Sequence, residues 1–272
     1  MQKLLRSILV VVVLAPLAGF GSPALAQAGS GSSPPSSQDR LFLAFIEDAT
    51  LAQNQWWEGQ IEISDGLEVT GGDLDAFTVR GIVAFQPWID VELGVRVGFG
   101  NTDGPVDGSG ATDLEAWGKY LLESQSQNVQ FAFGGVVTIP TGDETAGLGE
   151  DSFGGSAFGT IRYRLDRLIL SGHLGVQFNG AGRQFGQTVD RDGETALQLG
   201  AGLIYPFSGS VSGIAEISFD GGRLEDSDDD LRLLGGVNWR IGGRSTLRGA
   251  LTFGLDDGAP DAQILLSYAA QF

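Results

Sequence analysis

Charged residues recur at every second position within short apolar stretches of this sequence. In residues 89–100, Asp90, Glu92 and Arg96 alternate with valine and leucine. Alternate residues of an extended strand lie on the same face of a sheet, so these charges would form a row along one face. Rows of mixed charge line polar pores and set their ion selectivity. The spacing therefore predicts a lining rather than a compact active site.

Sixteen charged residues share this inward parity across the chain, eight acidic and eight basic, and the single histidine shares it as well. The predicted lining residues are Glu58, Glu62, Arg80, Asp90, Glu92, Arg96, Asp113, Glu115, Lys119, Arg162, Arg164, His173, Glu216, Asp220, Arg232, Arg240 and Arg248. The acids concentrate early in the chain and three of the arginines late. This order favours a transverse field across a polar lumen. The alternative is that the charges pair and close a narrow bore.

Catalysis and metal binding are both disfavoured by the sequence. A lipid-cleaving barrel needs a serine and a histidine base that reach the acyl chains, whereas His173 lies on the inward parity beside Ser171. Asp226 and Asp228 begin a calcium-loop spacing, but Leu231 stands where that loop needs glycine. We predict no enzyme activity, no cofactor and no metal site. A solvated acidic loop is favoured over divalent ions that bridge it to lipopolysaccharide.

Twelve alternating segments would position the lining residues. They lie near 56–64, 76–86, 89–100, 112–122, 128–139, 153–164, 167–179, 194–205, 210–220, 230–241, 245–255 and 261–272. Short connections alternate with long, mostly acidic ones, such as residues 65–75 and 101–111, as in outer-membrane barrels. The prediction is an all-β fold, a transmembrane up-and-down antiparallel β-barrel of about twelve strands over residues 54–272.

A soluble β-sandwich would also alternate, and two features favour the barrel over it. The apolar parity carries no charge in any segment, as lipid would select. The aromatic residues on that parity sort into two levels, which matches the girdles of a membrane barrel. The last strand, residues 264–272, places Tyr268 and Phe272 on the lipid face. The terminal phenylalanine also resembles the signal by which the barrel-assembly machinery recognises outer-membrane proteins.

The N-terminal region predicts export. Lys3 and Arg6 precede an apolar run, and Ala24 to Ala26 has the form of a cleavage site, so residues 1–26 read as a signal peptide. A membrane anchor is the alternative, but the run is short for a spanning helix. Residues 27–53 are predicted to be a flexible periplasmic lead, in which 41–53 could form a short helix or an extra strand. The sequence leaves open whether residues 41–53 enter the lumen as a plug. The chain has no cysteine and a formal charge of −18, which disfavours disulfides and nucleic-acid partners.

One segment is similar to a known family. An Asp-Leu strand, Asp113 to Tyr120, precedes a strand that ends in Pro140, Thr141, Gly142 and Asp143. This resembles the outer-membrane family named for the MetA pathway of phenol degradation, also called transporters. The resemblance implies a channel for aromatic or other small hydrophobic compounds and brings no catalytic residue.

These observations predict an outer-membrane channel for the passive uptake of small organic molecules. The alternative is a non-conducting structural or adhesive barrel that acts through acidic extracellular loops. The expected partners are outer-membrane lipid, lipopolysaccharide, the barrel-assembly machinery and a small-molecule solute. Sugars or amino acids would fit a polar lumen equally well.

Overall fold

A computed structural model describes residues 40–42, 46–52, 54–69, 71–122, 126, 128–183 and 190–272. The signal peptide and residues 27–39 of the lead lie outside the described residues. The strands in the described part are β1 (Gln55–Val69), β2 (Gly72–Trp88), β3 (Val91–Asp103), β4 (Gly108–Ala111), β5 (Leu114–Leu122), β6 (Val129–Ile139), β7 (Gly154–Leu165), β8 (Leu168–Asn179), β9 (Thr195–Pro206), β10 (Val211–Asp220), β11 (Asp230–Ile241), β12 (Ser245–Gly254) and β13 (Ala262–Gln271).

The strands form a closed antiparallel barrel of twelve wall strands. Each strand pairs with its sequence neighbours, and β13 pairs with β1 from Trp56 opposite Gln271 to Asp65 opposite Ala262. Both β4 and β5 pair with β3, so together they make the fourth wall strand. A closed barrel leaves no free sheet edge. The predicted fold class and its strand number are confirmed, including the seam between the last strand and the first.

The outer surface of the wall is apolar because one parity of each strand faces outward. In β2 and β3 the outward residues Val83, Val95, Val97 and Phe99 are between 43% and 59% exposed. Their neighbours on the other parity point inside, where Ile82 is 2% exposed and Glu92 is fully buried. This is the pattern of a wall with hydrocarbon outside and a polar interior. No helix in the described part of the chain is long and apolar enough to cross a membrane.

Two of the predicted long connections are shorter than expected. The stretch 65–75 is a hairpin, in which β1 and β2 stay paired up to Val69 opposite Gly72. A register shift at Asp65 and Gly66 marks a bulge, and beyond it the alternation resumes with Leu74, which is 2% exposed. In 101–111, β3 and β4 pair up to Thr102 opposite Gly108. In 65–75 the bulge breaks the period of two, and in both stretches the acidic, glycine-rich composition is typical of a loop.

The two ends of the barrel differ. Short turns join β2 to β3, β7 to β8, β9 to β10 and β11 to β12, and this is called the short-turn end. The opposite end carries the longer connections, including residues 140–153, 180–194 and 221–229, and is called the long-loop end. A short 3-10 helix, Glu144–Ala146, lies in the first of these loops.

Candidate functional site in the barrel lumen

The inward parity of the wall carries the predicted lining residues. Six of them are at most 3% exposed: Glu58, Glu92, Lys119, Arg162, Glu216 and Arg248. The other eleven are partly exposed, namely Glu62, Arg80, Asp90, Arg96, Asp113, Glu115, Arg164, His173, Asp220, Arg232 and Arg240. The buried six lie in the half of the barrel nearer the short-turn end, or at mid-depth. Their burial has a specific cause, since a segment of the chain fills that half.

This segment, residues 40–42 and 46–52, is called the plug. Leu41, Phe42, Asp48, Ala49 and Ala52 are fully buried within the barrel. The sequence left the role of residues 41–53 open, and in the described part they form neither a helix nor a strand. Leu41 and Ala49 contact no solvent, as in the interior of a folded domain, although the nearby composition suggested a flexible lead.

Glu92 is the hub of a buried ionic network that joins the plug to the wall. Its carboxylate accepts from both terminal nitrogens of Arg40, at 3.1 and 3.2 Å, and from the indole nitrogen of Trp117 at 2.9 Å. The ammonium of Lys119 lies 3.5 Å from the Glu92 carboxylate, and the backbone nitrogen of Ala52 also donates to this carboxylate. A carboxylate with this many donors is well compensated for its loss of water.

A second part of the network surrounds Asp48. Arg162 donates to its carboxylate, and Lys119 donates to its backbone oxygen at 2.9 Å. Lys119 also lies 3.4 Å from the carboxylate of Glu47. With Arg40 and Glu92, the network contains three bases and three acids, so it is neutral as a whole. Removal of any one member would leave a buried charge uncompensated.

An apolar patch on the wall receives the plug's hydrophobic residues. Leu41, Phe42 and Ile46 cluster with the inward residues Ile169, Ile204, Ile214, Leu234 and Leu265. The backbone nitrogen of Phe42 donates to Glu216 at 3.0 Å, so the plug is also anchored by its main chain. The inward charges predict a polar lumen, whereas one side of the wall is apolar.

Glycines on β9 make the space that the plug occupies. A Cβ on Gly200 would lie 2.1 Å from Cγ2 of Ile46, and one on Gly202 would lie 2.6 Å from Cδ1 of Leu41. Real Cβ atoms do not approach so closely, so larger residues at either position would displace the plug. These glycines, together with large apolar residues on the inward parity, are the sequence signal that favours a plug, a role that the sequence pattern of residues 41–53 alone leaves open.

Aromatic rings cover Arg248, which lies against the plug residue Phe42. The guanidinium of Arg248 lies 5.2 Å from the ring centroid of Trp56 and 5.7 Å from that of Phe42. Its Nη1 is 3.4 Å from Glu58. His173 packs beside Phe158 with ring centroids 5.5 Å apart. These contacts stabilise the short-turn half as a packed interior.

Above the plug, the long-loop half encloses a cavity of about 630 Å³, called the vestibule. Its lining includes the ion pairs Glu62 with Arg80, at 2.7 Å, and Arg96 with Glu115, at 2.8 Å. Acids outnumber bases among its described lining residues. A transverse field is therefore weakened by local pairing, while the vestibule as a whole is acidic.

The Pro140–Asp143 motif closes the loop that follows β6. Gly142 donates its backbone nitrogen to Asp113 at 2.8 Å, and a Cβ on Gly142 would lie 2.6 Å from the oxygen of Leu148. The Thr141 hydroxyl accepts from the backbone of Leu114 at 3.0 Å. The motif thus ties the loop to the top of β5, which is a structural role.

Asp143 caps the 3-10 helix. Its carboxylate accepts from the hydroxyl of Thr145 at 2.6 Å and from the backbone nitrogens of Thr145 and Ala146. The hydrogen bond from the Thr145 hydroxyl, followed by those from the backbone, holds the pKa of Asp143 below its ordinary value. The carboxylate is therefore the form that fits this loop.

The remaining predicted residues lie at the wall's ends. Tyr268 is outward, donates to Ser245 at 2.9 Å and packs on Trp57 with ring centroids 6.1 Å apart. Phe272 is 68% exposed, and its backbone nitrogen donates to the backbone oxygen of Gln55 at 3.0 Å.

In the described residues, no group of three or more His, Asp or Glu side chains is placed to hold a metal ion.

No family model and no curated protein matches this sequence. Among solved structures, the COG4313 outer membrane channel from Pseudomonas putida F1 is similar over 86% of this chain and 100% of its own, with a TM-score of 0.67 and 14% identity. The chain has the fold of the outer-membrane β-barrels. The NanC porin matches with a TM-score of 0.54 and 6% identity, over 79% of this chain and 100% of its own. The KdgM porin matches with a TM-score of 0.52 and 10% identity, over 80% of this chain and 99% of its own.

Proposed function

We propose that this outer-membrane barrel is a channel for small organic molecules and that the plug closes it at the short-turn end. The observation that carries the proposal is that a polar vestibule leads to a segment that only non-covalent contacts keep inside the lumen. Arg40, Glu47 and Asp48 reach the wall through ion pairs, and the plug adds no strand to it. A segment docked in this way can leave without breaking the barrel.

The fold supports a location in the outer membrane. The short turns would face the periplasm and the long loops the outside, as in barrels of known orientation. Residues 1–26 would be cleaved during export, and residues 27–39 would connect to the plug from the periplasm. Lipid and lipopolysaccharide would surround the wall, and Tyr268 with Phe272 would serve the assembly machinery. We expect no catalytic activity.

The solute is proposed to be aromatic or hydrophobic. The apolar patch of Ile169, Ile204, Ile214, Leu234 and Leu265 would be exposed in the lumen when the plug leaves. It would give an apolar solute a surface along the pore. The resemblance to the MetA-pathway transporters, carried by Pro140–Asp143, points to the same class of solute but has no matching family model.

A non-conducting barrel with a structural or adhesive role is the second candidate. The full burial of Arg40 and Glu92 favours this role, because a lumen packed in this way leaves no path for a solute past these side chains. The acidic long loops would then be the functional surface.

Ion conduction and solute flux separate the two candidates. The purified chain should give discrete current steps in planar bilayers. Proteoliposomes should swell with small aromatic compounds faster than with sugars or amino acids of similar mass. A chain that shows neither steps nor swelling, even with the plug removed by a deletion of residues 27–53, would favour the structural role. Equal swelling with every solute would retain the channel and reject the aromatic preference.

A further inference from the structure

A second cavity, of about 220 Å³, opens among the short-turn ends of five consecutive strands, β8 to β12. Its apolar side consists of Ile169, Ile204 and Pro206. Its polar side includes Asn238, Arg240 and Thr246, which lie on the inward parity of β11 and β12. Because Arg240 pairs with Thr246 across these strands, both side chains reach the same level of the wall.

Two buried polar atoms of the cavity lack a partner within the described residues. Thr246 is 1% exposed and its hydroxyl oxygen has no hydrogen bond. Asn238 is 3% exposed and its amide oxygen has none. Buried polar atoms are nearly always satisfied, so both atoms are available to a partner that enters the cavity.

Arg240 supplies positive charge to this cavity. It is the one charged residue among the described lining residues, and its Nη1 donates to the backbone oxygen of Gly209 at 3.4 Å. A guanidinium has five donors in a fixed fork, which suits a carboxylate. The neighbouring Thr246 hydroxyl can donate to the same group.

We propose that this cavity binds a small monocarboxylate with a compact apolar body. The carboxylate would meet Arg240 and Thr246, and the apolar body would pack on Ile169 and Ile204. The size fits, because a cavity of about 150 Å³ admits a benzene molecule and this one is larger by roughly the volume of two waters. The amide oxygen of Asn238 can accept from a hydroxyl or amine substituent on the ligand.

The site lies beside the plug. Asn238 donates to the backbone oxygen of Arg40 at 3.4 Å, and Ile169 and Ile204 belong to the cluster that holds Leu41. A ligand that arrives from the short-turn side would therefore touch the first plug residues. That consequence for opening rests on the proposed channel function, whereas binding itself does not.

Binding is measured on the full chain refolded in detergent micelles, with benzoate as the probe and empty micelles as the blank. Benzyl alcohol tests the need for charge, and acetate tests the need for the apolar body. Isothermal titration should show benzoate binding about tenfold or more tighter than either. Arg240→Gln should weaken benzoate binding by about tenfold to a hundredfold, as expected for loss of a charge-assisted contact. Thr246→Val should weaken it several-fold.

Arg244→Gln is the matched control, since Arg244 is exposed in the turn at the same end and does not line the cavity. Its benzoate affinity should equal that of the unaltered chain. Equal affinities for the Arg240 and Arg244 variants, or equal binding of benzyl alcohol and benzoate, would overturn the proposal. Conductance is recorded separately, so a chain that binds benzoate through Arg240 without conducting would reject the channel and retain the site.

Discussion

Replacement of Asp48 by asparagine should release the plug from the lumen. In the closed form Asp48 is fully buried. Its carboxylate accepts a hydrogen bond from Arg162, and its backbone oxygen accepts one from Lys119. Asp48→Asn leaves the network with three bases and two acids. The excess positive charge stays buried when the plug is docked and becomes hydrated when the plug leaves. The substitution therefore destabilises the docked form much more than the undocked form.

The size of the effect follows from the burial. Removal of one partner of a buried ion pair costs about 3–5 kcal/mol. Because about 1.4 kcal/mol corresponds to a tenfold change in an equilibrium constant, the ratio of undocked to docked plug should rise about a hundredfold to several thousandfold. Asparagine keeps some hydrogen bonding to Arg162, which favours the lower end of this range.

Two assays follow the plug independently. Single-channel recording in planar bilayers should show a large rise in the fraction of time that the channel is open. The chain has no cysteine, so Ala49→Cys introduces a single thiol at a fully buried plug position. A maleimide should label this thiol slowly in the unaltered background and much faster with Asp48→Asn.

The matched control is Asp190→Asn. Asp190 pairs with Arg183 at 2.6 Å in a long loop, but its side chain is 71% exposed, so the pair is worth at most about 1 kcal/mol. Neither open time nor labelling should change. If Asp48→Asn also leaves both open time and labelling unchanged, the network does not hold the plug and the reasoning fails.

Three further predictions concern packing and assembly. Gly200→Val should push the plug out and raise conductance. Gly235→Val is the control, because its added side chain has open space around it, and its conductance should not change. Equal currents from the two variants would contradict the proposed position of the plug against β9. Gly142→Ala should loosen the loop after β6 and speed its cleavage by protease, compared with Gly243→Ala in an open turn, and equal cleavage rates would refute the motif's structural role. Deletion of Phe272 should lower the amount of barrel assembled in cells while refolding in detergent is retained, and normal assembly would argue against a terminal signal.

The barrel wall could be predicted from the sequence because its pattern is local. A period of two with apolar residues outward predicts both that a segment is a strand and which of its side chains face the lipid, as for Val95 and Val97. The seam was also accessible, since an even number of strands returns the chain to its start. At the bulge at Gly66 the period breaks, so the sequence predicts a loop where the structure continues as a hairpin.

The plug could not be predicted in the same way. Residues 41–53 show no period, and the wall partners of Asp48 are more than seventy positions away in the chain. The balance of eight acids and eight bases allows pairing within the wall, yet Arg162 pairs with Asp48 of the plug, and Lys119 is shared between Glu47 of the plug and Glu92 of the wall. The apolar inward residues Ile204 and Leu265 contact the plug, and a period of two on each strand does not show which segment covers its inward face.

A reversible cross-link tests most directly whether the plug closes the channel. A Cβ built on Gly200 lies 3.2 Å from that of Ile46, close to the separation in a disulfide, so Ile46→Cys with Gly200→Cys can tie the plug to β9. In the Asp48→Asn background, the oxidised protein should be silent in planar bilayers, and reduction on the same membrane should restore openings. Unchanged current with the cross-link verified as complete would show that solutes and ions pass elsewhere, and would contradict the account.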